Sequence, residues 1–189
     1  MDIKNIRYQI ETEFHALRHF ASASSELRER LAEAGYSSEQ ISSVLSLPGS
    51  RFNPAFANSI QDLLSHLKDA RIEEHTGLNG NQILTATCDA SSYKEGIGTV
   101  AIVPLADLDK NQQKQVYQAE NRGFLLNHLD VEKLPYTWQL TIILSKADET
   151  WSLITAFPGP SALPIPNAQM SSEMYNQCLT YWEGQVFLV

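Results

Sequence analysis

Trp151-Ser152-Leu153-Ile154-Thr155-Ala156-Phe157-Pro158-Gly159-Pro160 is the stretch whose reading decides the fold. Aromatic and β-branched residues run up to Phe157 and predict a strand. Pro-Gly-Pro then ends it, because proline has no N–H to give to a sheet ladder. Thr155 is therefore expected near a strand end, where a hydroxyl can face a cleft or bond the turn. Just upstream, Trp138–Ser145 is a second run of the same kind. The polar segment Lys146–Thr150 separates the two, a length that suits a hairpin. The two runs are predicted to be adjacent antiparallel strands.

Working outward, Ser171-Ser172-Glu173 opens a helix to about Trp182, and Gln185–Val189 reads as a terminal strand. Upstream, Gln82–Cys88, Ile97–Val103 and Phe124–Val131 read as strands, with a helix capped by Asp107 running to about Asn121. Arg71–Gly77 and the Gly80 turn form a connector. Before it the apolar period changes to that of a helix. Ile3, Ile6, Ile10, Phe14 and Leu17 recur at three- and four-residue spacings. Leu27 and Leu31 continue the pattern to a stop at Gly35. Ser37 and Gln40 form a capping-box pattern ahead of Ile41, Val44, Leu45 and Leu47. Asn53-Pro54 is read as the start of a helix bearing Phe56, Ile60, Leu63, Leu64 and Leu67. The expectation is an α+β protein: a helical module over 1–76, then an α+β domain with a mainly antiparallel sheet over 77–189.

The 43% hydrophobic and 19% charged residues are those of an ordinary globular protein. No apolar run has the length to span a bilayer, and the first residues carry no apolar signal core. A cytoplasmic protein without a membrane partner is expected. Cys88 and Cys178 read as buried thiols. The net charge is −8. Residues 1–76 hold 8 basic and 11 acidic residues, and residues 77–189 hold 6 and 11. Such a balance predicts weak phosphate-driven affinity. The Ser37–Leu47 helix follows a glycine turn, but it carries no row of Arg or Lys, so DNA is not an expected partner. His15 and His19 have metal-compatible spacing, with Glu11 one turn back and no third ligand from another element. Neither a metal nor a cofactor is expected, and no phosphate-binding or nucleophile motif occurs.

Thr155-Ala156-Phe157-Pro158-Gly159 resembles the last core strand of the barnase/EndoU/colicin/RelE-like ribonuclease fold, found in many bacterial toxin domains. The resemblance covers about Leu84–Pro166, just under half the chain. It implies a metal-independent endoribonuclease that cleaves RNA by general acid/base catalysis. In that fold a hydroxyl just ahead of the terminal proline contacts the phosphate, which matches Thr155 here. Arg122, at the junction of a helix and the next strand, is the phosphate-clamp candidate. His75, before the first strand, and His128, inside Phe124–Val131, are the acid/base candidates. Lys94 is a spare phosphate ligand, and Trp138 and Trp151 flank the hairpin where they can stack a base. RNA and a cognate inhibitor are the implied partners. The alternative is a non-catalytic interaction or immunity-type module whose acidic surface meets a basic protein. Convergence of Thr155, Arg122 and one histidine on a cleft would separate the two.

Overall fold

The computed structural model describes residues 6–77, 80–121, 123–147 and 150–189, with the side chains at 121 and 147 excepted. In chain order the first elements are α1 (Ile10–Ala16), α2 (Ser25–Glu33), α3 (Ser38–Ser46), β1 (Arg51–Phe52) and α4 (Ile60–Ser65). Then come β2 (Arg71–Thr76), β3 (Gln82–Asp89), β4 (Gly98–Thr99), β5 (Ile102–Pro104) and α5 (Lys110–Gln115). The remainder are β6 (Tyr117–Asn121), β7 (Phe124–Leu129), β8 (Tyr136–Thr137), β9 (Gln139–Ala147), β10 (Thr150–Pro158), α6 (Ser172–Glu183) and β11 (Gln185–Leu188). The class is α+β, with mostly antiparallel sheets. Among the described residues, no helix is long and apolar enough to cross a membrane. The chain divides into two compact units, Met1–Thr99 with Tyr136–Ser161, and Val100–Pro135 with Ala162–Val189. The boundary expected at Thr76/Gly77 separates β2 from β3, which pair from Arg71↔Thr87 to Thr76↔Gln82.

In the first unit the hairpin read from the sequence is present: β9 and β10 run antiparallel from Ala147↔Thr150 to Leu140↔Pro158. They belong to a sheet ordered β10-β9-β3-β2. Alternation sends Leu84, Ala86, Leu140, Ile142 and Leu144 into the core, where they meet Phe52, Phe56, Ile60, Leu63 and Leu64. The register shifts between Leu153 and Thr155, so Ile154 is an extra residue, 43% exposed. Without this bulge Ala156 would face away from the core; with it, Ala156 pairs with Ile142 and is buried. Pro158 ends an edge strand, where a missing N–H is tolerated. A second small sheet, β1-β4-β8, is antiparallel.

Helix starts follow the capping chemistry. The box of Ser37 and Gln40 is present: the serine hydroxyl accepts from Gln40 N–H and the Gln40 side chain accepts from Ser37 N–H. Asn53-Pro54 does not open a helix. Asn53 Oδ1 accepts from Ala55 N–H at 3.0 Å and closes a single turn. The helix starts instead at Ser59, whose hydroxyl and the Asp62 carboxylate cap each other's backbone N–H groups. The first helix is also shorter than its apolar stripe. Ile3 lies outside the described residues, and Ile6 precedes the helix. Arg7 N–H donates to Trp151 C=O and Leu153 N–H to Arg7 C=O, both at 2.9 Å, so this segment bridges to β10. Arg71–Thr76 is an edge strand and not a connector.

Leu17–His19 is a short 3-10 turn after α1. There the His19 ring is buried, with Nδ1 3.0 Å from Ser50 C=O and Nε2 accepting from Arg18 Nε at 3.1 Å. These partners fix the neutral ring with its proton on Nδ1, because Nε2 already faces a donor. His19 is thus not poised as a metal ligand, and among the described residues no cluster suited to a metal occurs. Burial, opposed by the Ser50 contact, lowers its pKa from 6.5 to about 4. The sign follows from linkage. As pH falls below 6.5 the unfolded chain takes up the proton first, so stability is full above 6.5 and is lost down to about 4. The expected loss is on the order of 3 kcal/mol. Urea midpoints measured from pH 7.5 to 4.5 should fall for the parent and change distinctly less for His19→Asn. Equal pH slopes for the two proteins would end this account.

In the second unit the sheet is ordered β5-β11-β7-β6, with β11 parallel to β7 and antiparallel to β5. Trp182 and Cys178 on α6 pack with Leu126, and Trp182 Nε1 donates to Pro164 C=O at 3.0 Å. Ile97–Val103 is not one strand: β4 and β5 lie in different sheets. The helix expected over Asp107–Asn121 is only α5. Asp109, not Asp107, is its cap, accepting from Asn111 and Gln112 N–H, and Tyr117–Asn121 pairs with β7 instead. Both cysteines are buried free thiols, and burial pushes Cys88 up to about 11.

Candidate functional site

The register of the first unit fixes the distance between two of the expected catalytic residues. Thr155 pairs with Ile143, Ile143 with Thr85, and Thr85 with Glu73. His75 sits two residues beyond Glu73, on the opposite edge strand. Three strand spacings of about 4.8 Å, with two residues of about 3.3 Å along the strand, put the backbones of His75 and Thr155 about 16 Å apart, too far to share one phosphate. Nor does the Thr155 hydroxyl bond the turn. Its Oγ1 is buried and has no hydrogen-bond partner among the described residues. It is Thr141 that meets the turn, donating through Oγ1 to Gly159 C=O at 2.7 Å. His75 is exposed.

His128 belongs to the second unit. Its ring is buried between Tyr117 and Phe187, with centroids at 5.8 and 5.5 Å, and Nδ1 lies 3.0 Å from the Leu126 carbonyl of its own strand. Stacked on both faces, it is a packing residue. Arg122 lies outside the described residues. Trp138 and Trp151 sit at opposite ends of the hairpin. Trp151 pairs with Lys146, eight residues along from Trp138, or about 26 Å. Trp151 packs against the core with the Lys146 ammonium 5.9 Å from its ring centre.

What the fold does assemble is an aromatic surface around Trp138. An open depression of ≈490 Å³ is lined by Thr87, Cys88, Asp89, Tyr136, Thr137, Trp138 and Gln139. It lies where β3 runs past the end of β2: Thr87 is the last residue with a β2 partner, and Cys88 and Asp89 continue alone beside β9. The 90–96 loop is stapled to this end of the sheet. Ala90 N–H donates to Trp138 C=O at 2.8 Å, and Ile97 N–H to Thr137 C=O at 2.9 Å. Trp138 Nε1 donates to Tyr93 C=O at 2.6 Å, which ties the indole edge to the loop and leaves the residue 41% exposed. Tyr136 is 65% and Tyr93 39% exposed. Tyr93 is itself held edge-on to Phe56, whose centroid is 4.9 Å away. Lys94 follows Tyr93 in this loop and is exposed. The Asp89 carboxylate accepts from Ser91 N–H at 2.9 Å. Such exposed, rigidly held aromatics are the usual anchors of a binding surface.

Of the described residues read from the sequence as site candidates, Trp138 lines this surface and Lys94 lies in the loop beside it. Tyr93 and Tyr136 were not singled out. Their signal was the density of aromatics on either side of Gly96 and Thr137, which only the pairing of β4 with β8 brings together. Comparison of the chain with protein-family models, with curated proteins and with solved structures gives no match.

Proposed function

We propose that this chain is a non-catalytic interaction module that takes hold of a basic protein partner through the aromatic surface of its first unit. The observation that carries the reading is the pair Tyr136 and Trp138, exposed in the lining of the depression, with Tyr93 exposed in the loop that the Trp138 indole bonds. Tyrosine and tryptophan give large, rigid contact area at little entropic cost, and they dominate the energetics of protein interfaces. Charge selects the kind of partner. The first unit holds 10 basic and 15 acidic residues, a net −5, and Asp89 lies in the lining. A polyanion meets repulsion there, whereas a basic segment is steered in. The separation of His75 from Thr155 supports binding over RNA cleavage.

The test sets the two functions against each other. Labelled single-stranded RNA and a lysine-rich peptide are each titrated with the protein at about 0.15 M salt. The peptide is expected to bind, and RNA to be neither bound nor cut. Tyr136→Ala with Trp138→Ala should weaken peptide binding at least tenfold, with the double variant still folded by circular dichroism. Thr155→Val should be neutral or stabilising, because it removes a buried hydroxyl that has no partner. RNA cleaved by the parent and spared by Thr155→Val would overturn the reading in favour of a ribonuclease.

A further inference from the structure

We propose that the open edge of β2 is a strand-addition site for an extended, basic protein segment; this rests on the interaction reading above and adds, beside the aromatic surface, a main-chain contact for the same partner. The two edges of the β10-β9-β3-β2 sheet differ. The outer side of β10 is engaged by the backbone of Arg7, bulged at Ile154, and closed by Pro158. On the other side, β2 pairs with β3 alone among the described residues, and all six of its residues are exposed. An unpaired edge presents a row of N–H and C=O groups ready to bond another chain. An extended segment laid against it gains main-chain bonds, while its side chains set specificity.

The side chains of β2 decide which segment fits. Its sequence is Arg71-Ile72-Glu73-Glu74-His75-Thr76. Neighbouring residues point to opposite faces, so Glu73 and Glu74 put one carboxylate on each. A second copy fits the strand less well. Antiparallel self-pairing over all six residues sets Glu73 opposite Glu74 of the other molecule, and like charges directly opposite are destabilising; the registers that set Arg71 opposite a glutamate use only three or four of the six residues. In the free strand Glu73 pairs with Arg71 at 2.8 Å and Glu74 accepts from Gln82, both at exposed positions; a segment with two adjacent basic residues meets both carboxylates at once in place of these partners. An apolar residue beside them covers Ile72, which is 42% exposed. The same charges that prevent indiscriminate pairing of the edge thus select a basic one.

The probe is a ten-residue synthetic peptide with Tyr-Lys-Lys-Val at its centre, followed by fluorescence anisotropy and amide hydrogen exchange. With the parent, exchange at Arg71–Thr76 should slow on binding. Glu73→Lys with Glu74→Lys, both on an exposed edge, should weaken the lysine peptide about tenfold and bind a Tyr-Glu-Glu-Val peptide in its place. Recovery by charge reversal separates a lost contact from a lost fold. Equal affinity of the parent and the double variant for the lysine peptide would overturn the proposal, as would no binding of that peptide by the parent. Protection confined to Thr87–Asp89 and Tyr136–Gln139 would overturn it too, while leaving the interaction reading standing. Failure of that reading shows separately, as RNA cleavage by the parent.

Discussion

Gly98→Ala is expected to cost the first unit a large share of its stability. Gly98 sits in β4 between β1 and β8, opposite Phe52 on one side and Thr137 on the other. A methyl group built at its Cα would lie 2.3 Å from the Arg51 carbonyl oxygen and 2.9 Å from Pro158 Cβ. Both obstacles are stiff: one is backbone in β1, the other a proline ring. The neighbours cannot give locally, because Ile97 beside Gly98 is fully buried and its C=O accepts from Asn53 N–H at 2.8 Å. Overpacking of this kind costs about 3 kcal/mol or more, a large share of the 5–15 kcal/mol typical of a domain. Gly35→Ala is the control. There the added carbon meets nothing within 4 Å, and only a φ of +93° opposes it. That conformation costs an L residue about 1–2 kcal/mol. Urea denaturation should rank Gly98→Ala far below Gly35→Ala, with the parent highest. Similar midpoints for the two variants would mean that the β1-β4-β8 sheet yields to the methyl group.

How much of this was legible in the sequence follows from where each signal resides. The β9-β10 hairpin, β3, β7, α6 and β11 were readable because their apolar pattern or cap is local. The capping box at Ser37 was readable for the same reason. β2 was not. Its charged residues have poor strand propensity, and the strand exists because β3 offers it a ladder. The bridging segment at Ile6–Arg7 was hidden because Ile6 and Ile10 share a helical spacing, while the partner of Arg7 lies far along the chain at Ser152. At Asn53-Pro54 two local signals competed: an Asx turn formed, and the Ser59–Asp62 box downstream took the helix start.

The site was less legible than the fold. A threonine ahead of Pro-Gly says nothing of register, and it is the bulge at Ile154 that decides which face Thr155 shares. His128 carried no sign of its stacking partners, because Phe187 arrives from a parallel strand at the end of the chain. Trp138 was named as a base-stacking residue paired with Trp151. The structure pairs it instead with Tyr93 and Tyr136. That grouping depends on β4 meeting β8, a pairing of two residues each that no periodicity reveals.

Arg51→Met should lower the melting temperature by about 10 °C, because one guanidinium closes two chain ends of the helical region. Arg51 Nη1 donates to Phe20 C=O at 2.9 Å, where the 3-10 turn after α1 stops. Its Nη2 donates to Leu45 and Leu47 C=O, the latter at 2.6 Å, in the last turn and at the cap of α3. The last carbonyls of a helix lack partners within it and carry partial negative charge, so a cation there both bonds them and meets the helix dipole. Arg51 is also the residue that pairs β1 with Thr99, so these contacts anchor the helices to the β1-β4-β8 sheet. Methionine keeps the length and apolar stem of the side chain but leaves three carbonyls without their donor. Losing charge-assisted bonds of this number costs on the order of 3 kcal/mol, which for a unit of this size corresponds to the stated shift. Arg51→Lys keeps the charge but not the fork, and it should recover only part of the loss. Calorimetry of the three proteins at pH 7.5 decides the matter. A lysine variant as stable as the parent would reduce the effect to charge alone, and a methionine variant melting within a degree of it would remove Arg51 from the account of what holds α3 in place.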